Sequence, residues 1–69
     1  MIPVRVQVNG KEHTLPEGAS VGDLLDTLSL KGDGIAVAVD RRIVPRSKRD
    51  QTVLEDGQVV EIVRAVGGG

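Results

Sequence analysis

The chain has no cysteine and no phenylalanine, tyrosine or tryptophan, and it has one histidine and one methionine among 69 residues. Without cysteine there is no disulfide framework, and His13 alone cannot build a zinc site. Without aromatic rings there is no stacking platform for single-stranded nucleic acid. Nine basic and ten acidic residues leave a formal net charge of −1, so no overall field steers the chain towards polyanions. The longest apolar run, residues 35–39, is far too short to span a bilayer, and residues 1–5 lack the pattern of a secretory signal. A cytoplasmic, soluble protein of one domain is expected, near the lower size limit for a self-sustaining core. Its stability must come from Val, Ile, Leu and Ala.

Those aliphatics are ordered by period. Ile2, Val4, Val6 and Val8 alternate with Pro3, Arg5 and Gln7, which reads as a strand with one buried face. Asn9-Gly10 is the strongest turn signal, a type I′ hairpin that sets Val8 opposite Lys11, Val6 opposite His13 and Val4 opposite Leu15. His13 therefore falls on the valine face as a partly covered structural residue, since no nucleophile or carboxylate constellation accompanies it. Ser20 as N-cap and Asp23 three positions on form a capping box. Val21, Leu24, Leu25 and Leu28 follow at helical spacing, and Leu30 continues the apolar side. Gly32 is the expected left-handed residue that stops the helix.

Residues 35–39, Ile-Ala-Val-Ala-Val, read as an interior strand, Asp40-Arg41 as a reversal, and Arg42-Ile43-Val44 as a short strand ended by Pro45. Residues 46–51 are polar and suit a single helical turn or loop. Leu54 returns the chain to the core, and Glu55-Asp56-Gly57 is a turn. In the last strand, from Val59 to Val63, Val60 and Ile62 share one face and Val59, Glu61 and Val63 the other. This order predicts an α+β layer, a mixed sheet of four to five strands with one main helix across one face.

The chain then reads Val66-Gly67-Gly68-Gly69. Glycines add nothing to a core and lose the most entropy when ordered, so they are either a frayed end or a segment used for access. Their place directly after a strand-like run favours access. A backbone without Cβ atoms enters a channel too narrow for other residues. Residues 1–64 are thus expected to form the domain and residues 65–69 a flexible tail, reaching roughly 15 to 18 Å at about 3.3 to 3.6 Å per residue.

Several stretches together resemble the ThiS family of sulfur carriers, ubiquitin-like β-grasp proteins of thiamine biosynthesis. They are Val6-Gln7-Val8-Asn9-Gly10-Lys11, Ser20-Val21-Gly22-Asp23-Leu24-Leu25, Ile35-Ala36-Val37-Ala38-Val39-Asp40, Ile43-Val44-Pro45-Arg46, Leu54-Glu55-Asp56-Gly57 and Glu61-Ile62-Val63-Arg64-Ala65-Val66-Gly67-Gly68-Gly69. The resemblance implies a covalent carrier and not an enzyme. A ThiF-type, E1-like adenylyltransferase would use its own ATP and Mg²⁺ to activate the Gly69 carboxylate. Sulfur from a cysteine desulfurase system would replace AMP to leave a thiocarboxylate, which a ThiG-type thiazole synthase would consume. No cofactor is expected on this chain. Gly67 and Gly68 would thread, while Val63, Arg64 and Val66 are the candidate partner contacts. Arg41, Arg42, Arg46, Lys48 and Arg49, five of the nine basic residues, form either a solvated face or a surface for an acidic partner. Other readings of the same residues are a carrier for molybdopterin or another pathway, a protein modifier, a β-grasp binding module with an inert tail, and nucleic-acid binding through the basic cluster.

Overall fold

The computed structural model describes residues 2–30 and 34–64. Its elements are β1 (Val4–Val8), β2 (Lys11–Leu15), α1 (Val21–Thr27), β3 (Ile35–Val39), β4 (Arg42–Ile43), a 3₁₀ turn (Arg46–Lys48) and β5 (Val59–Arg64). The strands make one five-stranded sheet in the order β2-β1-β5-β3-β4. β5 runs parallel to β1 and antiparallel to β3, so the sheet is mixed, as expected.

The first hairpin follows the register read from the sequence, with Val8 opposite Lys11, Val6 opposite His13 and Val4 opposite Leu15. Asn9 and Gly10 have φ of 49° and 86°, the two left-handed positions that a type I′ turn requires. Val4, Val6 and Val8 are buried and His13 is half-buried beside them. Ile2 departs from expectation, since it lies outside β1 and is 74% exposed. Pairing stops at Val4 because Pro3 on one strand and Pro16 beyond the other have no N–H to donate.

The capping box is present in full. Ser20 Oγ accepts from the Asp23 amide at 3.1 Å, and the Ser20 amide donates to the Asp23 carboxylate at 2.9 Å. The segment after the 3₁₀ turn satisfies two further donors at this helix end, Val21 N to Thr52 O at 2.9 Å and Gly22 N to Arg49 O at 3.1 Å. All the early amides of α1 thus find partners, which a seven-residue helix cannot do without.

The helix stops earlier than the glycine signal implied. Ser29 takes φ of 58°, its amide donates to Asp26 O at 3.1 Å, and the Leu30 amide donates to Leu25 O at 2.8 Å. These two bonds are the Schellman closure, made here by serine. Leu30 folds back against the core, and that apolar contact fixes the stop ahead of Gly32, itself outside the described residues.

Val21, Leu24 and Leu25 of α1 pack on Val4, Val6, Val8, Val37, Val39 and Val60 of the sheet, with Leu15, Leu54 and Val44 closing the edges. β3 and β4 meet through a two-residue loop in which Asp40 and Arg41 have φ of 49° and 69°. Asp40 suits this, because its carboxylate accepts from the Val59 amide at 3.0 Å. Arg41 sits where glycine is the low-strain residue. Arg41→Gly is expected to raise stability by about 0.5–1 kcal/mol, the relief of left-handed strain less the entropy that glycine adds to the unfolded chain. Urea titration of the two proteins measures it, and a loss of stability would show that the arginine side chain makes up the strain.

The candidate docking strand and its open face

β5 is the strand that leads to the glycines, and it lies at the centre of the sheet. Two turns fix where it begins. Asp56 accepts from the Arg5 amide at 2.8 Å and the Gly57 amide donates to Arg5 O at 2.7 Å, which anchors the 55–57 turn on β1. On the other side Asp40 N donates to Val59 O at 2.8 Å, in addition to the bond from its carboxylate. The Asp-Gly pair ahead of the last strand therefore has a structural role, with Gly57 at φ of 88°.

Side chains of β5 alternate between the two faces. Val60 is fully buried and Ile62 half-buried under α1, whereas Val59, Glu61 and Val63 point to the face that carries no helix. Opposite Val63 stands Ala36, opposite Glu61 stands Ala38, and Ile43 of β4 stands opposite Ala38. Val63 is 63% exposed and Ile43 is 71% exposed. Valine and isoleucine flank two alanines whose small side chains leave the middle flat. Glu61 is exposed on the same face opposite Ala38, so the surface beside the end of β5 that a partner can cover is apolar with one carboxylate within it.

Arg64 is exposed too, but register with Ile35 puts it on the opposite face from Val63. The two sequence candidates therefore cannot serve one flat contact on the open face. Val66, Gly67, Gly68 and Gly69 lie outside the described residues. The basic cluster does not form one solvated face: Arg41 and Arg42 belong to the β3–β4 hairpin and Arg46 and Lys48 to the 3₁₀ turn, while Arg49 turns inward. The Arg49 guanidinium donates to the carbonyl of Ile35, and its Nε is buried without a partner. Composition alone could not separate that arginine from its neighbours. Sequence reasoning also missed Ile43, because period two in a strand of two residues carries no signal.

Among the described residues no group of three or more His, Asp or Glu is placed to hold a metal ion, and no helix is long and apolar enough to cross a membrane.

The profile of the ThiS family matches residues 4–69. The chain belongs to the ThiS family. It is 27% identical to the sulfur carrier protein ThiS of Escherichia coli over 66 residues, which are 96% of this chain and all of that one. A crystal structure of the thiamine biosynthesis protein ThiS from Geobacter metallireducens superposes with a TM-score of 0.80 at 30% identity, covering 96% of this chain and 100% of that one. The ubiquitin-like β-grasp fold is thereby the fold of this ThiS family member. It is also 33% identical over 66 residues to the thiazole synthase of Paramagnetospirillum magneticum, of which it spans only 20%.

Proposed function

We propose that this chain is a sulfur carrier whose Gly69 carboxylate is adenylated, converted to a thiocarboxylate, and used to donate sulfur for thiazole formation. The observation that carries the proposal is the family match, which runs through β5 and on to the three glycines. The occurrence of a similar stretch inside proteins named thiazole synthase supports a ThiG-type enzyme as the acceptor partner.

The chemistry divides between the chain and its partners. A carboxylate is a poor electrophile until one oxygen becomes a leaving group. A ThiF-type adenylyltransferase would bind ATP and Mg²⁺ and place AMP on Gly69, with pyrophosphate released. A persulfide sulfur supplied by a cysteine desulfurase system would then displace AMP, and a thiol would reduce the resulting acyl disulfide to leave the thiocarboxylate. The chain's own part is to bring the terminal carboxylate within reach and dock beside it, with Gly67 and Gly68 in the channel. That is a carrier's work and not a catalyst's, carried out in the cytoplasm.

Docking would use the open face, through Val63, Ile43 and the two alanines between them, with Val66 further along. Arg64 would meet a partner only beyond the sheet's end. Val63→Lys should raise KM for this chain in the adenylation reaction about tenfold, the size of one interface anchor lost, and leave thermal unfolding unchanged. An unaltered KM would remove the open face from the interface.

The direct test is intact-mass measurement after incubation with the adenylyltransferase, ATP and Mg²⁺, cysteine, a desulfurase and a thiol reductant. A gain equal to exchanging one oxygen for sulfur, located at Gly69, is expected. An unchanged mass with competent partners would overturn the carrier reading.

A further inference from the structure

β1 makes parallel pairs with β5 at Gln7–Val59 and Val8–Val60, and then its backbone turns away into the hairpin at Asn9. β5 continues for four residues past that point, paired on its other side with β3 up to Arg64. The Asn9 backbone amide still donates to Val60 O at 3.0 Å. Its side chain reaches one step further. Asn9 Oδ1 accepts from the Ile62 amide at 2.8 Å, and Asn9 Nδ2 donates to Ile62 O at 3.0 Å.

A primary amide carries the same donor and acceptor as a peptide group. The Asn9 side chain therefore stands in for the residue that β1 would need to keep pairing with β5. Ile62 stands opposite Val37 of β3 in register, but both of its backbone polar groups are given to Asn9, and among the described residues it is the last of β5 seen to be bonded from the β1 side. From Val63 onward only β3 guides the strand. The turn alone would accept glycine or aspartate at this position as well as asparagine. Aspartate would keep the acceptor for the Ile62 amide and lose the donor to its carbonyl.

We propose that Asn9 is a positioning residue for the carrier terminus: by clamping both polar groups of Ile62 it fixes the direction of β5 through Val63 and Arg64, the last strand residues ahead of the glycines. The link to the terminus rests on the carrier reading above, but the clamp itself does not. It makes a residue of the first hairpin, 53 positions away in sequence, responsible for the aim of the chain's other end.

Amide hydrogen exchange and adenylation kinetics on three variants of the full chain test it. Asn9→Gly removes the side chain and keeps the turn, Asn9→Asp keeps the acceptor alone, and Val6→Ala lowers global stability at a distance from the clamp. In Asn9→Gly the Ile62 amide should exchange roughly tenfold faster or more, beyond any change shared with the β2 and β3 amides. It should stay slow in Asn9→Asp. KM for the carrier should rise several-fold in Asn9→Gly, with kcat kept, and stay unchanged in Val6→Ala. Ile62 exchange in Asn9→Gly no faster than in Val6→Ala, or equally fast in the glycine and aspartate variants, would overturn the clamp. Fast Ile62 exchange with an unmoved KM would overturn its role in aiming the terminus. If the unmodified chain is not adenylated at all, the carrier reading fails, and the exchange data still decide the clamp.

Discussion

An alanine added after Gly69 is expected to abolish thiocarboxylate formation while the unfolding midpoint stays where it was. The added residue carries the carboxylate about 3.3–3.6 Å beyond the position that a threaded tail would give it. It also puts a Cβ where the channel is expected to admit only glycine. A displacement of about 1 Å at a reacting centre can cost 100-fold in rate, so a loss of at least that size is expected. The fold should not register the change, since the buried core ends in β5 at Val60, with Ile62 packed against it. Mass spectrometry after a timed incubation reads the first effect and thermal unfolding the second. Sulfur transfer by the extended chain at more than a tenth of the original rate would rule out Gly69 as the acceptor.

Leu24→Ala is the second large effect, expected to cost about 3–5 kcal/mol. Leu24 has no exposed surface, and removing its side chain adds a cavity to the lost transfer energy. A domain of this size has only about 4–10 kcal/mol to lose. With no aromatic ring nearby to swing into the space, the neighbours are valines and leucines whose branched side chains have few rotamers. The variant should therefore be marginal or unfolded at physiological temperature, whereas Thr14→Ala on the exposed side of β2 should change stability by under about 0.5 kcal/mol. Urea midpoints compare them. A loss below about 1 kcal/mol for Leu24→Ala would mean that the core closes over the gap.

Local chemistry with a short reach was legible in the sequence. Asn9-Gly10 fixed a turn and with it the pairing of ten residues, and Ser20 with Asp23 fixed the start of α1, because each signal and its effect lie within a few positions. The stop of α1 was misjudged for the converse reason. Ser29 adopts a glycine-like φ since Leu30 gains a place against the core, and that gain exists only once the sheet is present. Arg49 and the Asn9 side chain were illegible on the same ground, as their partners lie 14 and 53 positions away. For the candidate site, parity along β5 separated Val63 from Ile62 correctly. Ile43 joins the patch through its pairing with Ala38. The tail's chemistry entered through the resemblance, and residues 65–69 lie outside the described part of the structure.

The place of β5 has a consequence for how the protein is made. Among the described residues it is the last element in chain order, yet it occupies the middle of the sheet, between β1 and β3. A nascent chain that has emerged only as far as Gly57 holds two separate hairpins, β1–β2 and β3–β4, with no hydrogen-bonded strand to join them. Isolated hairpins are marginal at best in water, so folding must wait until β5 leaves the ribosome. Truncated translation products would then lack both the sheet and the terminus and fall to proteolysis together. Any molecule that completes its sheet has been translated at least to the strand from which the glycines extend.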